Sequence, residues 1–358
     1  MLNDLLKDPL FASSAPGATL RAKPLGFVDI GARGGVHELV EPLAGVTAVL
    51  GFEPDEEECV RMRASLAGSP WAACEIEPWA LAESEGEALL HLLSVPTNHS
   101  LRPPSLPLTE RYNMEKFAQV GSLPLQTTSL DKILFSQQRE QEDYWGEFIK
   151  LDTQGTEFEI LKGAQRTLGD RTVAIFTEVE FCQIYSGQKL FSEVEMFLRD
   201  RGFSFYGFAN IGHRSCKLLD KRQEAGRERP VWADAVFFKD PLPGGLQMSA
   251  LSERGNHVLF ACAMLLGYYD FALELALNTW ATGSEAKQIQ ELVHKRATLP
   301  PQQAYNDALA LAGRVEANPE LANLTVGRFV DRRRHQCDYN ELPDVENSLH
   351  LNHNEPNT

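Results

Sequence analysis

Apolar residues fall in short runs along most of the chain, and amphipathic segments separate them. Phe27-Val28-Asp29-Ile30, Val46 to Phe52, Phe148 to Leu151 and Val173 to Val179 have the length and turn-rich flanks of buried strands. Further strands are predicted at 73–77, 88–93, 125–128, 203–208 and 232–238. Helical spacing lies between them, near 35–42, from Asp55 to about Leu66, from Thr156 to about Ala164, and near 191–201. Asp55, Glu56, Glu57 and Glu58 put negative charge where a helix macrodipole is positive. Alternating strands and helices predict an α/β fold, a doubly wound, Rossmann-like parallel sheet. The consecutive strands at 203–208 and 232–238 predict an antiparallel edge on that sheet.

The pattern changes at both ends. Residues 1–24 join a short apolar and charged segment to a Ser-Ala-Pro-Gly stretch, which reads as a frayed helix and a linker. Pro241-Leu242-Pro243-Gly244-Gly245 reads as the end of a domain spanning 25–240. Beyond it the spacing is helical, with Leu259, Cys262, Leu265, Leu266 and Tyr269 on one stripe, so a small all-helical C-terminal part is expected over 246–318. Gly267-Tyr268-Tyr269-Asp270-Phe271-Ala272 resembles the middle of a tetratricopeptide unit, and Tyr305 to Ala308 faintly echoes it. One or two degenerate units do not define a repeat, and a helical bundle packed on the main domain is the simpler reading. Residues 319–358 read as a polar tail.

The first chemical signal is the run from Phe27 to Gly35, followed by Phe52-Glu53-Pro54. An apolar strand ends in an acid and a glycine turn, and a second strand ends in Glu53, 22 positions after Gly31. Ligands of open α/β sheets sit over such carboxyl ends. There an acid can accept hydrogen bonds from both hydroxyls of a ribose. A dinucleotide fingerprint requires G-x-G-x-x-G, which holds pyrophosphate at a helix N-terminus. Gly31 and Gly34 stand three apart with Ala32 and Arg33 between them, so that fingerprint is broken. S-adenosylmethionine has no phosphate and needs only a permissive turn and an acidic ribose clamp. It is favoured over NAD, while a doubly wound domain without a ligand stays open.

Composition narrows the class. The 358-residue chain carries a net charge of −16, which suits neither a phosphate backbone nor nonspecific nucleic-acid binding. Cys59, Cys74, Cys182, Cys216, Cys262 and Cys337 form no C-x-x-C pair and have no histidine at zinc spacing. They read as scattered reduced thiols, so a cytoplasmic location is expected and a metal is not. Asp4, Lys7 and Asp8 interrupt any leader-like apolar run, and no segment approaches the length of a transmembrane helix. G-x-S-x-G, Walker A and H-E-x-x-H patterns are absent.

The second signal is the run Phe148-Ile149-Lys150-Leu151-Asp152-Thr153-Gln154-Gly155-Thr156-Glu157, continuing through Leu161 to Gly163-Ala164. Here the chain resembles the FkbM family of SAM-dependent methyltransferases, whose I-K-x-D-x-x-G-x-E segment it matches. The family's opening D-[VI]-G-A-x-x-G matches Asp29, Ile30, Gly31, Ala32 and Gly35. Its F-E-P matches Phe52-Glu53-Pro54, and its Leu-Asp matches Leu130-Asp131. The resemblance covers about residues 25–210, and Arg33 departs from the small or amide side chain that many members carry. It implies a class I methyltransferase sheet and O-methyl transfer from S-adenosyl-L-methionine to a hydroxyl of a sugar, glycolipid or natural product.

The expected cofactor residues are Asp29, Gly31, Gly35, Glu53, Ala80 and Ser100. Asp152, at a central strand end, is the expected catalytic carboxylate. As a helix N-cap it would be purely structural. His99 opens the long Pro-, Ser- and Thr-rich stretch 94–124 and is a candidate base or adenosine-side contact; otherwise it is a surface histidine. Glu178, Glu180 and Tyr185 are candidates for the acceptor pocket. Two other functions fit the sequence. One is an NAD-linked oxidoreductase. The other is an interaction protein that uses the helical part to bind a protein partner or a second copy of itself.

Overall fold

The computed structural model describes residues 5–139, 142–220, 222, 224, 226–247, 250–298 and 301–334. Residues 335–358, which hold Cys337 and most of the expected polar tail, lie outside the described residues, as do residues 1–4.

The strands are β1 (Leu25–Ile30), β2 (Thr47–Phe52), β3 (Ala73–Glu77), β4 (Ala80–Leu81), β5 (Gly86–Leu93), β6 (Gln119–Thr128), β7 (Phe148–Leu151), β8 (Ala174–Glu180), β9 (Ser204–Arg214) and β10 (Arg229–Phe238). Seven form one sheet in the order β3-β2-β1-β7-β8-β10-β9. Strands β3, β2, β1, β7 and β8 run parallel to one another. Strand β10 runs antiparallel to both β8 and β9, forming the edge its sequence predicts. Order reverses between β1 and β7, the switch point over which open sheets bind ligands. Strands β1, β2 and β7 are buried along their whole length, which explains their continuous apolar runs.

Two expected strands belong elsewhere. Strand β5 pairs antiparallel with β6, and with β4 they form a separate three-stranded sheet. The 35–42 segment is a 3-10 helix, Glu38–Val46, with Pro42 inside it. Proline removes a backbone donor and disfavours an α-helical interior. Residues 94–124 are structured: helix Leu106–Arg111 and two short 3-10 turns precede β6.

Clusters of buried side chains line both faces of the large sheet. On one face Phe27, Val49, Phe148, Phe176 and Phe238 pack with helix Glu253–Leu265 and with Phe11 and Leu20. The N-terminal segment is therefore core, not linker. Helix Ala15–Ala22 starts at Ser14, whose hydroxyl accepts from Gly17 N–H, with proline in its first turn. From Val258 to Met264 every residue of helix Glu253–Leu265 is buried, more than a one-sided stripe would cover. Arg254 explains part of its hold. The guanidinium bridges Glu147 at 2.6 and 2.9 Å and donates to the carbonyls of Lys23 and Pro24.

Chain contacts define two compact units. One comprises Met1–Cys216 and Glu228–Thr298; the other comprises Lys217–Arg227 and Leu299–Thr358. Helices Glu253–Leu265, Tyr269–Thr279 and Gly283–Ala297 thus share the core of the sheet, and the division falls after Thr298 instead of at Pro241–Gly245. The second unit contains helices Pro301–Ala317 and Ala322–Arg334. No described helix is long and apolar enough to cross a membrane.

Candidate functional site

A cavity of about 840 Å³, counting its open mouth, lies over the carboxyl ends of β1, β2 and β7. Among the residues around it are Gly31, Glu53, Ala80, His99, Ser100 and Asp152. Residues far apart in sequence meet there because the parallel strands all end on the same side.

The floor is the turn after β1. Gly31 has φ +79°, and a Cβ there would overlap the carbonyl oxygen of Asp152. Its glycine is required by the crossing of two backbone segments as well as by any ligand. Asp29 is fully buried and does not line the cavity. One of its oxygens accepts from His37 N–H at 2.8 Å, and the other lies 3.3 Å from Lys150 Nζ. Lys150 also donates to the Gly31 carbonyl at 3.2 Å. Burial alone would favour the neutral amine, but Asp29 and Asp152 hold the Lys150 ammonium above its ordinary pKa. Gly35, with φ +130°, lies in the same turn but does not line the cavity.

Glu53 follows β2 and is 4% exposed. Its Oε1 accepts from Asp55 N–H at 2.9 Å and from Arg33 at 3.3 Å. Its Oε2 has no hydrogen-bond partner among the described residues. Burial raises the Glu53 pKa, and the Asp55 amide and Arg33 oppose that rise. Apolar Phe52, Leu81, Leu90 and Leu101 and the half-exposed indole of Trp79 complete the walls on this side.

The segment after β5 adds Pro96, Thr97, His99 and Ser100 to the lining. Ser100 donates to the Gln154 carbonyl at 2.6 Å and accepts from Arg102 N–H, tying the wall to the turn after β7. Arg102 adds an ion pair to Glu159 at 2.8 Å. His99 Nδ1 accepts from Leu93 N–H at 3.0 Å. In the neutral ring the proton therefore sits on Nε2, which makes the free edge a donor. Burial lowers the His99 pKa, which keeps the ring neutral. This geometry favours a ligand contact over a base.

Asp152 has a side chain 43% exposed. It is not a helix cap: Thr156 occupies the N-cap of helix Glu157–Lys162, and the buried Glu157 carboxylate accepts from Thr153 N–H, Thr153 Oγ1 and Gly155 N–H. Gln154, at φ +62°, turns its amide back toward Asp152. Its Nε2 donates to Asp152 at 2.8 Å and to Glu178 at 3.2 Å, while its Oε1 lies 2.7 Å from the Tyr185 hydroxyl. Glu178, Glu180 and Tyr185 are not cavity-wall residues. Glu178 and Tyr185 reach the site through Gln154, and Tyr185 packs its ring over Gly155. Burial and neighbouring carboxylates push Glu178 and Glu180 well above the ordinary range, and Asp234, which pairs with Glu178 across β8 and β10, is pushed to about 6.

Neither spacing nor residue type alone assigns a role to Gln154, Lys150 or Trp79. Gln154 and Lys150 lie inside the quoted motif, but only the fold reveals that one amide ties two carboxylates together.

The strand order, the antiparallel β10 and a cavity over β1, β2 and β7 define a class I methyltransferase fold. Residues 29–205 match the methyltransferase FkbM domain, and the domain over those residues belongs to that family. Two solved structures are similar. One is a crystal structure of methyltransferase FkbM from Methylobacillus flagellatus KT, 15% identical, covering 60% of this chain with a TM-score of 0.34. The chain spans only 43% of that protein's length. The other is Streptococcus pneumoniae Sp1610, a proposed tRNA (m1A22) methyltransferase, 12% identical, covering 77% of this chain and 97% of its own, with a TM-score of 0.28. No curated protein matches.

Proposed function

We propose that the chain is a SAM-dependent O-methyltransferase acting on a hydroxyl of a sugar, glycolipid or natural product. One observation carries this reading. In an FkbM methyltransferase domain, one cavity is lined both by a buried carboxylate, Glu53, and by a partly exposed carboxylate, Asp152. The residues fit the cofactor, because Glu53 has an oxygen without a hydrogen-bond partner among the described residues, which a ribose hydroxyl could take, and Asp152 would offer negative charge to a sulfonium.

Bound S-adenosylmethionine would supply an electrophilic methyl group. Glu53 would accept from the ribose, and His99 Nε2 would donate to an acceptor atom on the adenosine side. Trp79, Leu81, Leu90 and Leu101 would exclude water from the nucleoside. Gln154 orients Asp152, which would accept the proton of the attacking hydroxyl. The net charge of −16 supports an acceptor other than nucleic acid, and the free Cys59, Cys74, Cys182, Cys216 and Cys262 support a cytoplasmic location.

Calorimetry with S-adenosylhomocysteine and with NAD tests the cofactor, and a mass-shift screen of glycans incubated with S-adenosylmethionine tests the transfer. Binding of S-adenosylhomocysteine alone and a gain of one methyl on a glycan are expected. Binding of NAD in its place would overturn the reading.

A further inference from the structure

Arg33 lines the same cavity as Glu53 and is clamped between two acids. Its Nη1 lies 3.3 Å from Glu53 Oε1, and its Nη2 lies 3.1 Å from Asp55 Oδ2. Asp55 Oδ1 is engaged separately, accepting from Glu57 N–H and Glu58 N–H as the N-cap of helix Glu56–Ser65. Charge-assisted N–H···O⁻ bonds usually run about 2.7–2.9 Å, so both contacts are long, and the one to Glu53 is the longer of the two. Arg33 thus has two alternative partners, and only one of them belongs to the expected ribose clamp.

We infer that Arg33 is a positioning residue that competes with the ligand for Glu53, and that Asp55 holds the guanidinium when the ligand displaces it. This rests on the SAM reading. In the free chain Arg33 spreads over Glu53 and Asp55. A ribose that takes both oxygens of Glu53 must remove the Arg33 donor from Oε1. The guanidinium then keeps its ion pair with Asp55, so the cation is never left unpaired beside the cavity. Arg33 therefore raises the cost of binding, and Asp55 lowers it.

The two side chains should act with opposite sign on one measurement. In calorimetry with S-adenosylhomocysteine, Arg33→Gln should bind about three- to fivefold more tightly than wild type, the scale of a partly exposed ion pair. Asp55→Asn should bind about three- to fivefold more weakly, because Arg33 is then left to Glu53 alone. Asparagine is as good an N-cap as aspartate, so the helix should survive, and thermal melting of each free variant checks this. In the double variant the Asp55→Asn effect should vanish, since it acts only through Arg33. Weaker binding by Arg33→Gln would overturn the inference and make Arg33 a ligand contact. Unchanged or purely additive affinities would overturn it too. If wild type binds S-adenosylhomocysteine and the variants match it, this inference alone falls. If wild type does not bind, the SAM reading falls with it.

Discussion

The backbone carbonyl of Asp152 occupies the place where a Cβ of residue 31 would stand. The β1 turn and the β7 turn, 121 residues apart in sequence, therefore touch main chain to main chain at the base of the cavity. Gly31 also needs φ +79°. Gly31→Ala should cost about 2–4 kcal/mol, strain and overpacking together. Gly34→Ala, at φ +90° but facing open space, should cost only about 1–2 kcal/mol. Urea midpoints of the two variants measure the difference, and equal losses would show that the turn alone matters.

Arg254 and Glu147 predict what happens when the chain is cut short. A chain ending at Asp240 loses helix Glu253–Leu265, exposes Phe176, Val236 and Phe238, and leaves Glu147 buried without its cation. It should be insoluble. The point variant Arg254→Met isolates the ion pair and should destabilise the full chain by about 3–5 kcal/mol. A soluble, cofactor-binding truncation would instead support a separable helical part.

The strand ends were readable from sequence for a physical reason. Buried parallel strands are nearly continuous apolar runs, so Phe52-Glu53-Pro54 and Leu151-Asp152 mark their own termini, and the ligand position follows from the topology. The separate sheet was not readable, because β5 finds its partner β6 only across the 94–118 segment, and pairing is not written in either strand alone. The Ser14–Pro16 start signal was present but hidden in a composition that also suits a linker. Arg33 on Glu53, and Gln154 between Asp152 and Glu178, are contacts between side chains brought together by folding, and no spacing rule announces them.

Asp234 predicts a pH dependence. Burial, and then the charge of Asp152, raise its carboxyl from the ordinary 3.8 to about 6. The folded chain binds this proton more tightly than the unfolded chain. The resulting stability is full below about pH 4 and is lost as pH rises through about 6. At about 1.4 kcal/mol per unit the loss is roughly 2–3 kcal/mol. Denaturant melts of Asp234→Asn should show a flatter fall from pH 4 to 6.5 than wild type, with a residual slope from Glu178 and Glu180. Parallel profiles would clear Asp234 of this role.

Glu53 predicts a binding loss. With its Oε2 unpartnered on the cavity wall, Glu53→Ala should weaken S-adenosylhomocysteine by about 1.5–3 kcal/mol, the range for hydrogen bonds to a charged group. Unchanged affinity in calorimetry would remove Glu53 from the ligand.

Asp152 carries the prediction about catalysis. Its side chain is 43% exposed beside the cavity, Gln154 holds one oxygen at 2.8 Å, and Lys150 Nζ stands 4.0 Å from the other. A carboxylate held that way can take a proton from a hydroxyl without first reorganising. Asp152→Asn keeps the shape, removes the charge and should lower turnover by about 10²–10⁴-fold, the scale of a lost general base. S-adenosylhomocysteine affinity should change far less, because Glu53 and the apolar walls are untouched. Tyr185→Phe removes the hydroxyl that fixes the Gln154 amide, so it should lower turnover in the same direction but by less, with KM for S-adenosylmethionine unchanged. The two variants read together separate the roles. Normal turnover in Asp152→Asn would show that Asp152 does not take the proton. A matched loss of cofactor affinity would make Asp152 part of the cofactor site, with the positive sulfonium as its partner.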